Sequence, residues 1–241
     1  MIKNLNNKIC IALDFDSKDQ AMLVVNQIKD YVQFYKVGMQ LFTTEGPDII
    51  QEIVDSGCKV FLDLKYHDIP NTVAQAAKAC VSHGVYMFNV HASGGFEMLL
   101  AASEACKEES YKLGIEKPIV LGVTVLTSIN SEILNNEIIV SNSIMDYVIH
   151  LARLSQKAGL DGIVSSPLEI KYVRQACDPN FKIVTPGVRP LWSVNTKDQK
   201  RIAEPKMAFE AGADYIVIGR PITKAKDPVW AIKKLISDIK D

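Results

Sequence analysis

The chain has 241 residues, of which 48% are hydrophobic and 23% charged, an ordinary globular composition that excludes disorder as its main state. Lysine and arginine total 27 against 28 acidic residues, a formal net charge of −1, so there is no broad basic surface for nucleic acid or an anionic membrane. No apolar run is long enough to span a membrane, and the short apolar start is broken by Asp14 and Asp16, unlike a secretory signal. The five cysteines (10, 58, 80, 106 and 177) lie far apart and form no CxxC, which points to free thiols in a reducing cytoplasm rather than to disulfides or a zinc knuckle.

Along the chain, short apolar runs alternate with longer amphipathic segments. The runs at 8–15, 33–38, 59–65, 85–91, 118–125, 161–166, 182–187 and 214–219 predict eight strands. The segments near 17–30, 44–56, 70–83, 95–112, 142–158, 167–177, 200–211 and 227–239 predict eight helices. Ser17 suits the N-cap of the first helix, and Pro70 suits a first helical turn. Gly57, Gly84, Gly159 and Gly212 stand where helices must turn into strands. Strict alternation implies right-handed βαβ units and a parallel sheet. Eight units favour a closed (β/α)8 barrel spanning 1–241 as one domain. An open doubly wound sheet would want a glycine fingerprint after the first strand, and Leu13-Asp14-Phe15-Asp16 has none.

A barrel carries its active site at the C-terminal ends of its strands. Those ends are polar here: Asp14 after the first, Lys36 in the second, Asp63, Lys65 and then Asp68 after the third, His91 after the fourth. Thr124 and Thr127 follow the fifth, Arg189 the seventh, and Gly219-Arg220 the eighth. Asp63 and Lys65 are two apart and so share the inward face, with Leu62 and Leu64 turned to the helices. Each residue alone has an ordinary use: a cap for Asp14, a rim charge for Lys36 or Arg220, a structural ion pair for Asp63 and Lys65, a loop residue for His91. Gathered at one end of one barrel, however, they would be expensive to desolvate without a purpose. The segment after strand eight, Gly219-Arg220-Pro221-Ile222-Thr223, offers a glycine for close backbone approach, a short helix starting at Pro221 and a bidentate arginine, as in barrel phosphate sites. The long segment 186–199, with Arg189 near its base and Gln199 at its end, is a candidate lid.

Asp63-Leu64-Lys65-Tyr66-His67-Asp68-Ile69-Pro70-Asn71-Thr72 resembles the DxKxxDIPNT signature of the orotidine 5′-phosphate decarboxylase family, in its bacterial single-function form. Ala12-Leu13-Asp14, Tyr35-Lys36-Val37-Gly38, Val90-His91-Ala92-Ser93-Gly94-Gly95, Leu126-Thr127-Ser128, the stretch 185–190, Asp198-Gln199 and Gly219-Arg220-Pro221-Ile222 match in order, so the resemblance covers nearly the whole chain. It implies decarboxylation of orotidine 5′-phosphate to uridine 5′-phosphate in pyrimidine synthesis, by a cytoplasmic homodimer with shared active sites and with no cofactor or metal. It implies Lys65 as proton donor to C6, Asp63 against the substrate carboxylate, and Asp68 reaching the partner's site with Thr72 contacting ribose. It further implies Asp14 and Lys36 at the ribose hydroxyls, Lys36 also pairing with Asp63. Thr127 or Ser128 is implied at the pyrimidine edge, and Gln199, Arg220 and the Gly219 backbone at the phosphate, with Arg189 on the closing loop. The lid departs from the family pattern: larger residues, Leu191 and Trp192, follow Arg189-Pro190, and it is about one residue longer. Two alternatives are a metal-dependent sugar-phosphate decarboxylase of the same barrel family, which would want an acidic residue in place of Lys36, and a non-catalytic phosphate-ligand sensor, against which the intact Asp63/Lys65/Asp68 array argues.

Overall fold

The structure, a computed structural model, describes residues 5–193 and 203–240. Eight parallel strands close into a barrel in chain order: β1 (Ile9–Ala12), β2 (Phe34–Gly38), β3 (Lys59–Tyr66), β4 (Met87–His91), β5 (Ile119–Val123), β6 (Gly162–Val164), β7 (Lys182–Thr185) and β8 (Tyr215–Ile218). β1 pairs with β8 through Ile9–Ile216, Cys10–Val217 and Ile11–Ile218, so no sheet edge is left open.

Alternation along the strands sorts two cores. Ile9 and Ile11 of β1, Tyr35 and Val37 of β2, and Val60 and Leu62 of β3 face outward and pack under the helices. Cys10, Phe34, Phe61, Met87, Leu121, Val184 and Val217 fill the barrel itself. One consequence sets the function. Moving two residues on from Phe34, Phe61 and Met87 stays on the inner face and reaches Lys36, Asp63 and Asn89. The barrel therefore passes from an apolar plug to a polar rim within one pleat repeat. At the opposite end Phe34 meets Tyr86 and Tyr215 edge-on, and the two phenols are 3.1 Å apart.

The helices are α1 (Lys18–Ile28), α2 (Met39–Glu45), α3 (Asp48–Asp55), α4 (Pro70–Ser82), α5 (Phe96–Leu113), α6 (Ile144–Lys157), α7 (Ile170–Ala176), α8 (Pro205–Ala211), α9 (Arg220–Thr223) and α10 (Pro228–Lys240). The Ser17 side chain accepts a hydrogen bond from Gln20 N–H at the start of α1, and Pro70 opens α4, as the sequence predicts. The four helix-to-strand glycines all take positive φ. The repeated Ala-Gly-x-Asp does more than turn the chain. Asp161 accepts from Val120 N–H and pairs with Lys117; Asp214 accepts from Ile183 N–H and pairs with Arg174. Each aspartate thus ties its own strand entrance to the preceding strand.

Three expectations need correction. The helix expected over 44–56 is two helices, α2 and α3, because Gly46 takes a positive φ and Pro47 follows it; with the short α9 after β8 this makes ten helices rather than eight among the described residues. The segment 126–141, left without an element between the strand predicted at 118–125 and the helix predicted at 142–158, contains a π-helical turn at Ile133–Glu137. The short helix after β8 begins at Arg220, with Gly219 as its N-cap, one residue before Pro221.

Candidate active site

A cavity of about 280 Å³ opens at the C-terminal ends of the strands, floored by Phe61, Val123, Val164 and Val217 and walled by Lys36, Asp63 and Lys65. Asp63 is its electrostatic centre. Lys65 Nζ lies 2.6 Å from Asp63 Oδ1, and Lys36 Nζ lies 3.4 Å from Oδ2. Lys36 also reaches Asp14 Oδ1 at 3.1 Å, so one ammonium bridges two carboxylates. The placement of the Lys36 ammonium uses the space left by Gly38: a Cβ there would lie 2.7 Å from Lys36 Nζ.

Burial alone would push Asp63 up, but Lys36, Lys65 and the Asn89 amide together hold its carboxyl below the ordinary carboxylate value. Burial opposes the charge on Lys36 as well, and Asp63 and Asp14 overcome it, raising the ammonium above the usual lysine value. Asp63 and Lys36 are therefore a charged pair at neutral pH.

Asn89 was missed in the sequence and holds the array together. It is fully buried on β4. Its amide nitrogen donates to Asp63 Oδ1 at 2.7 Å, and its amide oxygen accepts from Lys65 N–H at 2.8 Å. That second bond has a structural cost to offset. Lys65 has φ +53°, in the left-handed region that side-chain-bearing residues avoid, and the β3–β4 register shifts between Leu62 and Tyr66. Asp63 sits on the regular pleat, as expected. Lys65 arrives in the cavity by a left-handed turn that Asn89 stabilises, not by simple alternation. The available signal was a lone amide inside the apolar run 85–91.

Thr127 and Ser128 both line the cavity, and so do Ser165 and Ser166, which the sequence reading passed over. Glu169, buried, accepts from the Ser165 hydroxyl at 2.7 Å and from Ser166 N–H at 2.8 Å, which fixes the loop after β6. His91 closes β4, half-buried, 5.4 Å from the His67 ring; burial is the main cause holding it below the ordinary histidine value.

Arg189 and Arg220 line a second hollow of about 500 Å³ at the same end of the barrel, beside Trp192, Lys224 and Trp230. Arg220 opens α9 next to Gly219, and Arg189 is fixed by its N–H bond to Ala203 O at 3.0 Å. Gln199 lies outside the described residues. Asp68 and Thr72 are exposed and line neither space. The Asp68 carboxylate accepts from Ile69 N–H at 2.6 Å and makes no ion pair among the described residues. Nor do three or more histidine, cysteine, aspartate or glutamate side chains cluster as a metal-ligand set among them.

Comparison with known proteins matches residues 7–235 to the family described as "Orotidine 5'-phosphate decarboxylase / HUMPS family". The orotidine 5′-phosphate decarboxylase of Syntrophomonas wolfei is 49% identical over 97% of this chain and 98% of its own length. That of Nostoc is 42% identical over 97% of this chain and 98% of its own length. Among solved structures, the orotidine 5′-phosphate decarboxylase of Lactobacillus acidophilus superposes with a TM-score of 0.86 at 38% identity, covering 98% of this chain and all of the other.

Proposed function

Because the chain belongs to the orotidine 5′-phosphate decarboxylase / HUMPS family, we propose that it converts orotidine 5′-phosphate to uridine 5′-phosphate and carbon dioxide, as a carboxy-lyase of pyrimidine synthesis. The observation that carries this reading is the Lys36–Asp63–Lys65 array, locked by Asn89 at the wall of the cavity.

The chemistry follows from those charges. When the C6–carboxyl bond breaks, carbon dioxide leaves and the electron pair stays on C6, in an orbital with little delocalisation. Stabilisation must come from fixed charge nearby, the kind of preorganised electrostatics that supplies a large share of catalysis. Lys65 presents an ammonium to that carbon and gives it a proton; the resulting amine regains one from water. Asp63 holds Lys65 and Lys36 in place and faces the departing carboxylate. Asp14 and Lys36 hold ribose hydroxyls, Thr127 or Ser128 meets the pyrimidine edge, and Gly219, Arg220, Arg189 and Gln199 take the phosphate. Enzymes lower barriers by roughly 8–23 kcal/mol, more than one lysine supplies, so binding energy from the phosphate must contribute by positioning and enclosing the substrate.

Asp68 and Thr72 fit a homodimer with shared sites. Both are exposed near the cavity-bearing end of β3, and Asp68 is unpaired among the described residues, which suits a carboxylate completing a partner's array. The protein is assigned to the cytoplasm on its nucleotide substrate and its free cysteines, four of them buried. Among the described residues no helix is long and apolar enough to cross a membrane. Lys36 stands where a metal-dependent sugar-phosphate decarboxylase would want a carboxylate, which disfavours that alternative.

The direct test is the absorbance loss of orotidine 5′-phosphate with and without a chelator. Turnover unchanged by chelator is expected. No turnover of the nucleotide, or turnover that chelator abolishes, would overturn the reading.

A further inference from the structure

The residues that follow Arg189-Pro190 are bulky, and the structure shows where they go. Leu191–Ser193 form a single 3-10 turn, closed by Ser193 N–H and Ser193 Oγ on Pro190 O at 3.0 and 2.8 Å. From that turn Trp192 reaches α10. Its indole Nε1 donates to Asp238 Oδ2 at 2.9 Å, and its ring meets Trp230 edge-on with centroids 5.5 Å apart. Asp238 is itself held, because Lys234 Nζ donates to its other oxygen at 2.6 Å. Both carboxylate oxygens are thus engaged, and the acceptor faces the indole in one orientation.

This contact bears on Arg189. The backbone of Arg189 is fixed on one side by its N–H bond to Ala203 O and by the Val188–Ala203 bridge. On the other side Pro190 restricts the next φ, and the turn that follows is tied to α10. Arg189 and Trp192 then face the same hollow as Arg220. An arginine suspended in a long connection would lose much of its binding energy to the ordering of its own backbone; one held at both sides does not.

We propose that Trp192 and Asp238 are positioning residues: their hydrogen bond, backed by Trp230, anchors the start of the β7–α8 connection on α10 and so presents Arg189 to the phosphate of the nucleotide. The inference rests on the phosphate assignment made above for Arg189 and Arg220. It makes Trp192 a fixed part of the site rather than a residue that travels with a closing loop.

The test measures binding of uridine 5′-phosphate and of uridine by calorimetry, beside turnover of orotidine 5′-phosphate. Trp192→Phe keeps an aromatic ring and loses the N–H; Asp238→Ala loses the acceptor; Asp238→Asn keeps an oxygen for the indole. Trp192→Phe and Asp238→Ala are expected to weaken the nucleotide roughly three- to tenfold, leave uridine within about twofold, and raise KM more than they lower kcat. Asp238→Asn should restore most of the loss. In an Arg189→Ala background Trp192→Phe should cost nothing further, because the group it positions is gone. Equal weakening of nucleotide and nucleoside, or full additivity with Arg189→Ala, would overturn the anchor as a positioning device. Wild type that binds the nucleotide but does not decarboxylate orotidine 5′-phosphate would overturn the decarboxylase reading alone. Wild type that binds the nucleotide no better than uridine would remove the phosphate site, and the anchor with it.

Discussion

On the β3 side of the barrel mouth, Asp63 stands 2.6 Å from Lys65 and 3.4 Å from Lys36, with a buried asparagine binding both the carboxylate and the lysine backbone. On the β7–β8 side of the same mouth, Arg220 is exposed and neither it nor Arg189 makes an ion pair among the described residues. The first region is an arrangement of paired charges held by strands and by a buried amide. The second offers cations on a short helix and a long connection, open to a ligand that brings its own charge. The difference fits a division of labour: charge that must act on a reacting carbon is built into the sheet, and charge that must capture a dianion is left exposed at its rim.

The sharpest way to break that comparison is at Asp68, which belongs by sequence to the β3 side yet makes no ion pair there among the described residues. If a partner subunit's array is where it acts, Asp68→Ala should lose turnover on the order of 10²–10³-fold, as expected for a charge aimed at a reacting centre. Lys65→Ala homodimers should lose still more. Subunit exchange between the two should restore activity, because each heterodimer holds one site with both native residues. Confirmed heterodimers without recovery would mean that each site is built within one chain.

On the β7–β8 side, Arg220→Ala should lower kcat/KM for the nucleotide by about 2 kcal/mol, the usual worth of charge-assisted bonds. A substrate without the phosphate should react slowly with wild type and hardly respond to the change. Adding inorganic phosphite or phosphate should partly rescue that truncated substrate in wild type, and less in the variant. Equal losses on both substrates would move Arg220 from the phosphate to the fold or the pyrimidine site.

A smaller effect concerns pH. Asp63 is held below its ordinary value and Lys36 above its own. The stability that Asp63 contributes is present above its unfolded pKa and lost as pH falls through the lower folded value. That of Lys36 is present below its unfolded pKa and lost as pH rises through the higher folded one. The acidic limb of activity that belongs to Asp63 should therefore lie below the ordinary carboxylate pKa of about 4. Lys36→Met removes one of the two cations on Asp63 and should shift that limb to higher pH. A pH profile with an unmoved acidic limb would show that Lys36 does not govern the ionisation of Asp63.

Much of this was legible in the sequence, and the reasons are specific. Eight apolar runs with amphipathic segments between them predict a parallel sheet buried on both faces, and eight units without a glycine fingerprint after the first strand favour the closed barrel over the open sheet. Lys36 and Asp63 were legible because they stand on the inward parity near the C-terminal ends of their strands; Lys65 was placed on the correct side by the same parity, although a left-handed turn is what carries it there. The break between α2 and α3 was not, because proline after glycine reads equally well as the first turn of one helix. α9, four residues long, is too short to show a period; it was read from Gly219 and Pro221 instead, which put its start one residue late. Asn89 fell on no motif, and its role exists only once β3 and β4 lie side by side. The left-handed φ of Lys65 has no sequence signature, since lysine is not a residue that seeks it. The Trp192–Asp238 bond joins positions 46 apart, which a local pattern does not reveal.

The most direct measurement of the central claim is the initial rate of orotidine 5′-phosphate decarboxylation by purified Lys65→Ala beside wild type, with uridine 5′-phosphate binding measured on the same samples. Lys65 combines proton donation with fixed positive charge at C6, so the account predicts a loss on the order of 10⁴-fold or more, with nucleotide binding largely retained. Substantial turnover by a Lys65→Ala protein that binds the nucleotide as wild type does would contradict it.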